Sequence, residues 1–355
     1  MIFNGKTILV TGGTGSMGKT LVRRALTGEL GTPKKVIVFS RDEAKQHEMR
    51  MSYLHKLVAT DEVIYRNFMN VLEFRIGDVR NYADVCSVVR HADIVINAAA
   101  LKQVPACEYF PTQAVLTNCM GASNIVRAIG ENDYPVDTVV AISTDKACKP
   151  INVMGMTKAI QERIFITANI LNSRTRFIGV RYGNVLSSRG SVIPLFHDQI
   201  RNGGPVTVTV PEMTRFLLSL EQAVDTVFAA LKGAKAGELY VPDAPSATVI
   251  NVAKALIGDL DINIEVTGIR PGEKMHEIMV SEEEANRCVR RGKYFAIKSM
   301  LPELNHSEDK ELSAITSEFS SANHPLDLEG TKHLLKINRL MVEDIDPLVN
   351  GELLR

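Results

Sequence analysis

Ser143-Thr144-Asp145-Lys146 offers a hydroxyl, a carboxylate and an amine in succession, and Lys158 adds a second amine downstream. Those groups can carry proton traffic around a bound ligand. The run before them, Val136 to Ile142, is apolar and β-branched and reads as a buried parallel strand. In an open parallel sheet, groups at the carboxyl end of such a strand sit at the ligand crevice. Lys158 lies on the helix that follows, so the side chains are expected to converge on one point. Taken alone, the stretch is equally a strand-end turn with ordinary capping residues. The elements around it decide between the two.

The first such element is a β-rich run, Lys6 to Thr11, feeding into Gly12, Gly15 and Gly18, with an amphipathic stretch from Lys19 to Leu26 behind them. Gly12 permits a tight turn, Gly15 lets backbone approach a pyrophosphate, and Gly18 allows helix to pack on strand. The pyrophosphate would rest on backbone N–H groups at the helix N-terminus, with Thr14, Ser16 and Met17 lining the loop. Strand, loop and helix occur in the order that dinucleotide binding requires.

The second strand, Lys35 to Phe39, ends in Ser40, Arg41, Asp42, Glu43 and Lys45. An acid at this strand end suits the ribose hydroxyl of NAD, whereas an Arg accommodates the 2′-phosphate of NADP. Ser40, Arg41 and Lys45 point to NADP, while Asp42 and Glu43 also fit the acidic first turn of a solvated helix. Alternation continues through Glu73–Ile76, Ala92–Asn97 and Arg176–Arg181. Asp78 and Val79 follow the first of these, positioned for an adenine. Ala98 to Ala100 follow the second and leave room for the cofactor, with Lys102 on the loop beyond. Tyr182, Gly183, Asn184 and Val185 follow the third, and Ser143 and Val185 complete the cofactor-lining set. Strands alternating with helical stretches predict an α/β fold with a doubly wound parallel sheet covered on both faces.

Past Asn184 the regularity fades. A polar loop around Arg189, a short strand at Thr207–Val210, a helix at Glu221–Lys232 and a returning strand at Glu238–Val241 are expected. Gly268 to Glu277 forms a later polar segment carrying Arg270. Arginines on separate loops suit a nucleotide diphosphate, although any one of them is also an ordinary surface charge. The predicted organisation is a dinucleotide-binding domain over residues 1–185, completed by part of 210–245, and a smaller, discontinuous substrate domain over 186–290. Residues 291–355 form an extension, polar to about Pro325, that reads as a flexible arm, a latch or an oligomer contact.

Composition narrows the partners. Charged residues make up 23% and the formal net charge is zero, so no nucleic-acid or anionic-membrane partner is expected. Five scattered cysteines without a C-x-x-C spacing read as reduced thiols in the cytoplasm. The eight histidines show no ligand spacing, so no metal site is expected. The first strand begins a few residues after Met1, with no apolar run long enough to span a bilayer.

The glycine loop, S-R-D-E, G-D-V-R, A-A-A-L-K-Q-V-P, S-T-D-K-A and the lysine-bearing helix together resemble the extended short-chain dehydrogenase/reductases. Within them the chain is similar to the inverting UDP-N-acetylglucosamine 4,6-dehydratases of bacterial surface-glycan synthesis. Arg189-Gly190-Ser191-Val192, Met213-Thr214-Arg215-Phe216 and Arg270-Pro271-Gly272-Glu273-Lys274 match that family as well. The resemblance runs from about Phe3 to Glu284. The tail resembles the capsule-type members, whose C-terminal segment reaches over the site or a neighbour, and a hexamer is what similarity implies. Longer members carry membrane spans ahead of the first strand; this chain resembles the soluble short form.

The resemblance implies an internal redox cycle: hydride leaves C4 of a UDP-sugar for NADP, water is lost across C5 and C6, and hydride returns to C6. Lys146 would be the base for the C5 proton and Asp145 the acid for the C6 hydroxyl, with Thr144 beside them. Lys158 would hold the nicotinamide ribose. Lys102, Asn184, Arg189, Val192, Thr207, Arg215, Arg270 and Glu277 would contact substrate. Burial under the sugar and the nearby Lys158 are expected to favour the neutral amine of Lys146. One departure stands out. The family's proton-abstracting Tyr is replaced by Met154, a thioether that cannot transfer a proton, so the O4 proton must leave by way of Asp145, Lys146 or a held water. A nucleotide-sugar C4 epimerase and a non-catalytic NADP-binding sensor remain as rival readings.

Overall fold

The structure of the protein, a computed structural model, describes residues 1–54, 68–186, 191–305 and 311–344. Its strands, in chain order, are β1 (Thr7–Thr11), β2 (Lys35–Ser40), β3 (Leu72–Ile76), β4 (Ile94–Asn97), β5 (Thr138–Thr144) and β6 (Arg176–Tyr182). Next come β7 (Asn184–Val185), β8 (Val206–Val208), β9 (Thr214–Leu218), β10 (Leu239–Pro242), β11 (Ser246–Thr248) and β12 (Ile264–Val266). The last are β13 (Ile278–Val280), β14 (Cys288–Arg291), β15 (Tyr294–Ile297) and β16 (Phe319–Ser320).

Nine strands form one sheet in the order β14-β15-β10-β6-β5-β4-β1-β2-β3. The stretch from β10 to β3 is parallel throughout, and the β14–β15 hairpin joins β10 antiparallel. The order 3-2-1-4-5-6 is that of a doubly wound dinucleotide-binding sheet, and its direction reverses between β1 and β4. The two faces are filled by alternate residues of the same strands. Ile8, Val10, Val36, Val38, Val140 and Val180 pack on one side; Leu9, Ile37, Val95, Val139 and Phe177 pack on the other. Period-two alternation with both registers apolar is what burial on both faces demands. The expected boundary between residues 290 and 291 falls inside β14, so this hairpin belongs with the large sheet.

A second core lies outside the sheet, where the helices Val192–Arg201, Val249–Ile257 and Leu328–Ile337 pack together with β8 and β9. Small sheets β11-β9-β7 and β12-β8 border it. The described part of the tail folds back onto its own chain. Here β16 pairs with β13, Phe319 packs on Phe216 and Phe295, and the Leu328–Ile337 helix lies against Val249–Ile257. Among the described residues no helix is long and apolar enough to cross a membrane.

Two local features of the helical layer bear on the strand-end crevice. Asn152 caps the Val153–Leu171 helix by accepting from the Gly155 N–H at 2.8 Å, and its amide donates to the Gly272 carbonyl at 2.8 Å. That places the Arg270–Glu277 segment against the helix carrying Lys158. Residues Val115–Met120 form a π-helical turn, an irregularity that often marks a functional region.

Candidate active site

Three adjoining clefts open at the carboxyl ends of the parallel strands. The first, about 350 Å³, is lined by Gly12, Thr14, Gly15, Ser16, Met17, Gly18, Ser40, Arg41, Lys45, Asp78, Val79, Ala98 and Lys102. Every residue expected to line the adenosine and pyrophosphate end of a dinucleotide is therefore in one groove. The glycines fit the group. Gly12 has φ +66°, and a Cβ there would strike the Ala99 backbone at 2.8 Å; a Cβ on Gly18 would meet the Gly12 carbonyl oxygen at 2.5 Å. At Gly15 only the Gly12 oxygen, 3.4 Å away, lies within reach, so this backbone faces the open groove at the start of a helix. Asp78 is less available than expected for an adenine, because Arg80 binds its carboxylate at 2.6 Å. Lys45 pairs with Asp42 at 2.5 Å, which offsets part of the positive charge expected beside Arg41.

The second cleft, about 260 Å³, shares Ser16, Met17, Ala98 and Lys102 with the first and adds Ser143, Thr144, Lys146, Met154, Lys158, Asn184 and Val185. The third, about 560 Å³, shares Asn184 and continues over Val192, Thr207, Arg215 and Arg270. Five predicted substrate contacts from five separate segments thus meet on one surface, and two of them are guanidinium groups suited to a diphosphate. Arg189 lies outside the described residues.

At the join, β5 delivers Thr144 into a short 3₁₀ turn, Asp145–Ala147. The Lys146 Nζ sits 3.1 Å from Asp145 Oδ1, 3.1 Å from Glu277 Oε1 and 3.2 Å from Asn184 Oδ1. The Thr144 hydroxyl donates to Asp145 Oδ1 at 2.9 Å. Asp145 and Glu277 are both buried, and each keeps one carboxyl oxygen, Asp145 Oδ2 and Glu277 Oε2, with no hydrogen-bond partner. Burial pushes Asp145 up, and although Lys146 opposes this, the carboxyl stays above its usual range. Burial also pushes Glu277 up, yet Lys146 and Arg215 together hold it below the usual range. The two carboxyls are thus pushed in opposite directions: burial raises Asp145, while Lys146 and Arg215 lower Glu277.

In the free enzyme three residues meet surroundings that the sequence did not anticipate. Lys146 does not sit in surroundings that favour its neutral form: burial pulls its amine down, but Asp145 and Glu277 outweigh it and hold the amine above the ordinary lysine value. Lys158 lines the same cleft as Lys146, but its ammonium is anchored, donating to the Ile142 carbonyl at 2.5 Å and to Gln161 at 2.7 Å. Burial lowers it to about 8. Glu277 does not line the substrate cleft but stands behind Lys146. Met154 is buried and packs against Cys107 and Ala114, an apolar environment with no proton acceptor in that cluster.

Some contributors escaped sequence reasoning. Asn118, on the π-helical turn, accepts from the Leu101 N–H at 2.8 Å and donates to Thr157 at 2.9 Å, fixing the loop after β4 to the Lys158 helix. A polar residue in an otherwise apolar helical run is its only signal. Arg181 is fully buried between Glu162 and Glu284 at 2.8 and 2.7 Å, and Ser143 donates to Glu162. Ser321, from the tail, accepts the Glu277 backbone N–H at 2.9 Å and contacts the Thr214 hydroxyl at 2.7 Å.

A dinucleotide groove at the β1/β4 reversal, running into a Thr-Asp-Lys turn at the end of β5, is the working architecture of the extended short-chain dehydrogenase/reductases. The molecule is an enzyme of their nucleotide-sugar dehydratase and epimerase class. Residues 8–299 match the family described as polysaccharide biosynthesis protein, and the chain belongs to that family. It is 40% identical over 344 residues to a UDP-glucose 4-epimerase of Rickettsia bellii, covering 94% of this chain and 96% of that protein. An inverting UDP-N-acetylglucosamine 4,6-dehydratase of Campylobacter jejuni is 39% identical over 336 residues, covering 91% and 95%. The X-ray structure of Pen from Bacillus thuringiensis superposes with a TM-score of 0.84 at 33% identity, covering 96% of this chain and 100% of that one.

Proposed function

We propose that this enzyme dehydrates UDP-N-acetylglucosamine to the 4-keto-6-deoxy sugar nucleotide with inversion at C5, using NADP, for a bacterial surface polysaccharide. The observation that carries this reading is the Asp145–Lys146–Glu277 cluster at the meeting of the dinucleotide groove and the arginine-lined cleft. Asp145, raised above the usual carboxylate range by burial, suits the acid that meets the departing C6 oxygen, and Lys146 would be the base for C5. Ser40 and Arg41 would hold the 2′-phosphate, Gly15 and its neighbours the pyrophosphate, and Lys158 the nicotinamide ribose. When bound, the nicotinamide would supply the hydride acceptor and donor chemistry for C4 and C6. Arg215 and Arg270 would take the UDP diphosphate, and Asn184 and Thr207 the remaining polar groups.

A C4 epimerase is the second reading, favoured by the name of the Rickettsia relative. Epimerisation needs no acid–base pair for C5 and C6, and the Asp145–Lys146 pair counts against it. Incubation with UDP-N-acetylglucosamine and, separately, UDP-glucose decides the matter. Dehydration gives a 4-keto chromophore, epimerisation gives a C4 epimer without one, and a mere cofactor-binding protein gives neither. In deuterated water the dehydration product should carry deuterium at C5 and show L-arabino couplings, and a C4 deuterium label should appear at C6. A product that keeps the D-xylo configuration from the earliest time points sinks the inverting assignment.

A further inference from the structure

Lys146 is held as a cation in the free enzyme, and a cation cannot take a proton from C5. We infer that Glu277 is the proton partner of Lys146, accepting its proton when the sugar covers the cleft and so turning the lysine into the base. The inference rests on the dehydratase reading. Glu277 Oε1 is 3.1 Å from the Lys146 amine, and among the described residues Oε2 has no hydrogen-bond partner, leaving a vacant position for a proton on a buried carboxyl. Asp145 lies equally near at 3.1 Å, but the dehydratase reading already assigns it to the C6 oxygen, which leaves Glu277 for this role.

Position fits the role. Glu277 is 2% exposed and its backbone is fixed by Ser321, so it is closed to solvent and to the substrate cleft. Lys146, with its side chain 21% exposed, is the member of the pair that still touches water. A sugar lying over it removes that water, and a buried ion pair stripped of solvent loses ground to its neutral form. The charged groups facing Glu277 are Lys146 and Asp145 from the turn after β5, Arg215 from β9 with its Nε at 4.0 Å, and Lys274 from its own segment. His276, next in the chain, is turned to Thr214 at 2.8 Å. Arg215 holds Glu277 charged in the free enzyme, but it also lines the third cleft, where a diphosphate would compensate it.

The step balances without a co-reactant. An N–H bond of Lys146 breaks and an O–H bond forms on Glu277. The freed lone pair takes the C5 proton, the C5–H electron pair becomes the C5–C6 double bond, and the C6 hydroxyl leaves as water with the Asp145 proton. Lys146 ends as the ammonium, Glu277 as the acid and Asp145 as the carboxylate.

The test supplies the 4-keto-6-deoxy sugar nucleotide to the holoenzyme in deuterium oxide and follows C5 exchange by NMR, which isolates the proton step. The unmodified enzyme should exchange C5. Glu277→Gln should exchange about a hundredfold more slowly near neutral pH, the lower end of what a positioned proton-transfer group contributes, and recover as pH rises into the lysine range. Glu277→Asp should fall between. In the unmodified holoenzyme, binding of the same keto sugar should add a protonated-carboxyl band to the infrared difference spectrum, a readout that needs no variant to fold. Exchange in Glu277→Gln at the unmodified rate overturns the proposal. So does an acid limb moved to lower pH, which would make Glu277 a charge that only holds Lys146 protonated, and so does the absence of the new band. If the unmodified enzyme makes no keto sugar from UDP-N-acetylglucosamine, the dehydratase reading falls and takes this role with it. If it does, and Glu277→Gln still exchanges normally, only the role of Glu277 falls.

Discussion

Gly155→Ala tests whether the catalytic turn is held by packing. The glycine lies in the first turn of the Val153–Leu171 helix, and a Cβ added there would sit 2.2 Å from the Lys146 carbonyl oxygen and 3.0 Å from its carbonyl carbon. Both are backbone atoms, so no side chain can swing aside. Restoring an ordinary carbon–oxygen contact of about 3.3 Å requires a shift of roughly 1 Å between helix and turn. Overpacking of this kind costs about 1–3 kcal/mol, and the better helix propensity of alanine returns at most about 1 kcal/mol. With the full offset, the net loss of stability should be about 0–2 kcal/mol, readable as a shifted urea midpoint. Activity should fall further, because roughly 1 Å of misplacement at a reacting group can cost about a hundredfold, equivalent to about 2.7 kcal/mol. Keto-sugar formation measured where the variant is fully folded separates the two effects. An alanine variant that turns over at the unmodified rate, or loses activity only in step with its unfolded fraction, refutes the reasoning.

Arg41→Ala should weaken NADP by about 1.5 kcal/mol, the low end for a charged hydrogen bond, since its side chain is half exposed; equal affinity of the unmodified enzyme for NAD and NADP in binding titrations would contradict the assignment. Met154→Leu, which keeps volume in a packed apolar cluster, should retain most turnover, whereas Asp145→Asn should lose it; a folded leucine variant as dead as Asp145→Asn would mean that the thioether itself takes part. For Glu284, burial pushes the carboxyl up but Arg181 and the Ser281 N–H hold it at about 2. A depressed carboxylate stabilises the fold fully above its unfolded value of about 4.5, and that support drains away as pH falls toward 2. Glu284→Gln should therefore cost about 3 kcal/mol at neutral pH, with the difference shrinking below pH 4.5 in acid denaturation; a difference independent of pH would remove Arg181 from the account.

The doubly wound sheet was legible because each strand is a short β-branched run and the first ends in a glycine loop that only close backbone approach explains. The Thr144-Asp145-Lys146 turn was legible for the same reason, since a polar triplet directly after a buried strand has one place to go. What Lys146 meets there was not. Glu277 and Asn184 arrive from remote segments, and the field of Glu277, which with Asp145 holds the amine charged, depends on tertiary placement that local pattern does not encode. Lys158 was legible as a residue of this cleft, but its anchoring on the Ile142 carbonyl was not, because that depends on how β5 and the helix pack. The β14–β15 hairpin was missed because an antiparallel addition to a parallel sheet leaves no trace in the alternation of strands and helices.

The contacts of Ser321 with Glu277 and Thr214 have a bearing on how the enzyme is made. A growing chain emerges amino end first at roughly 5–20 residues per second, so the strands flanking the glycine loop can pair while later segments are still being synthesised. The cofactor groove can exist early. The catalytic cluster is completed later, because the Glu277 backbone N–H gains its Ser321 partner only when the residues just past β16 have left the ribosome and β16 has closed against β13. Nascent chains stalled before Ser321 should therefore already hold the cofactor and acquire chemistry only on release, which ties activity to completed synthesis.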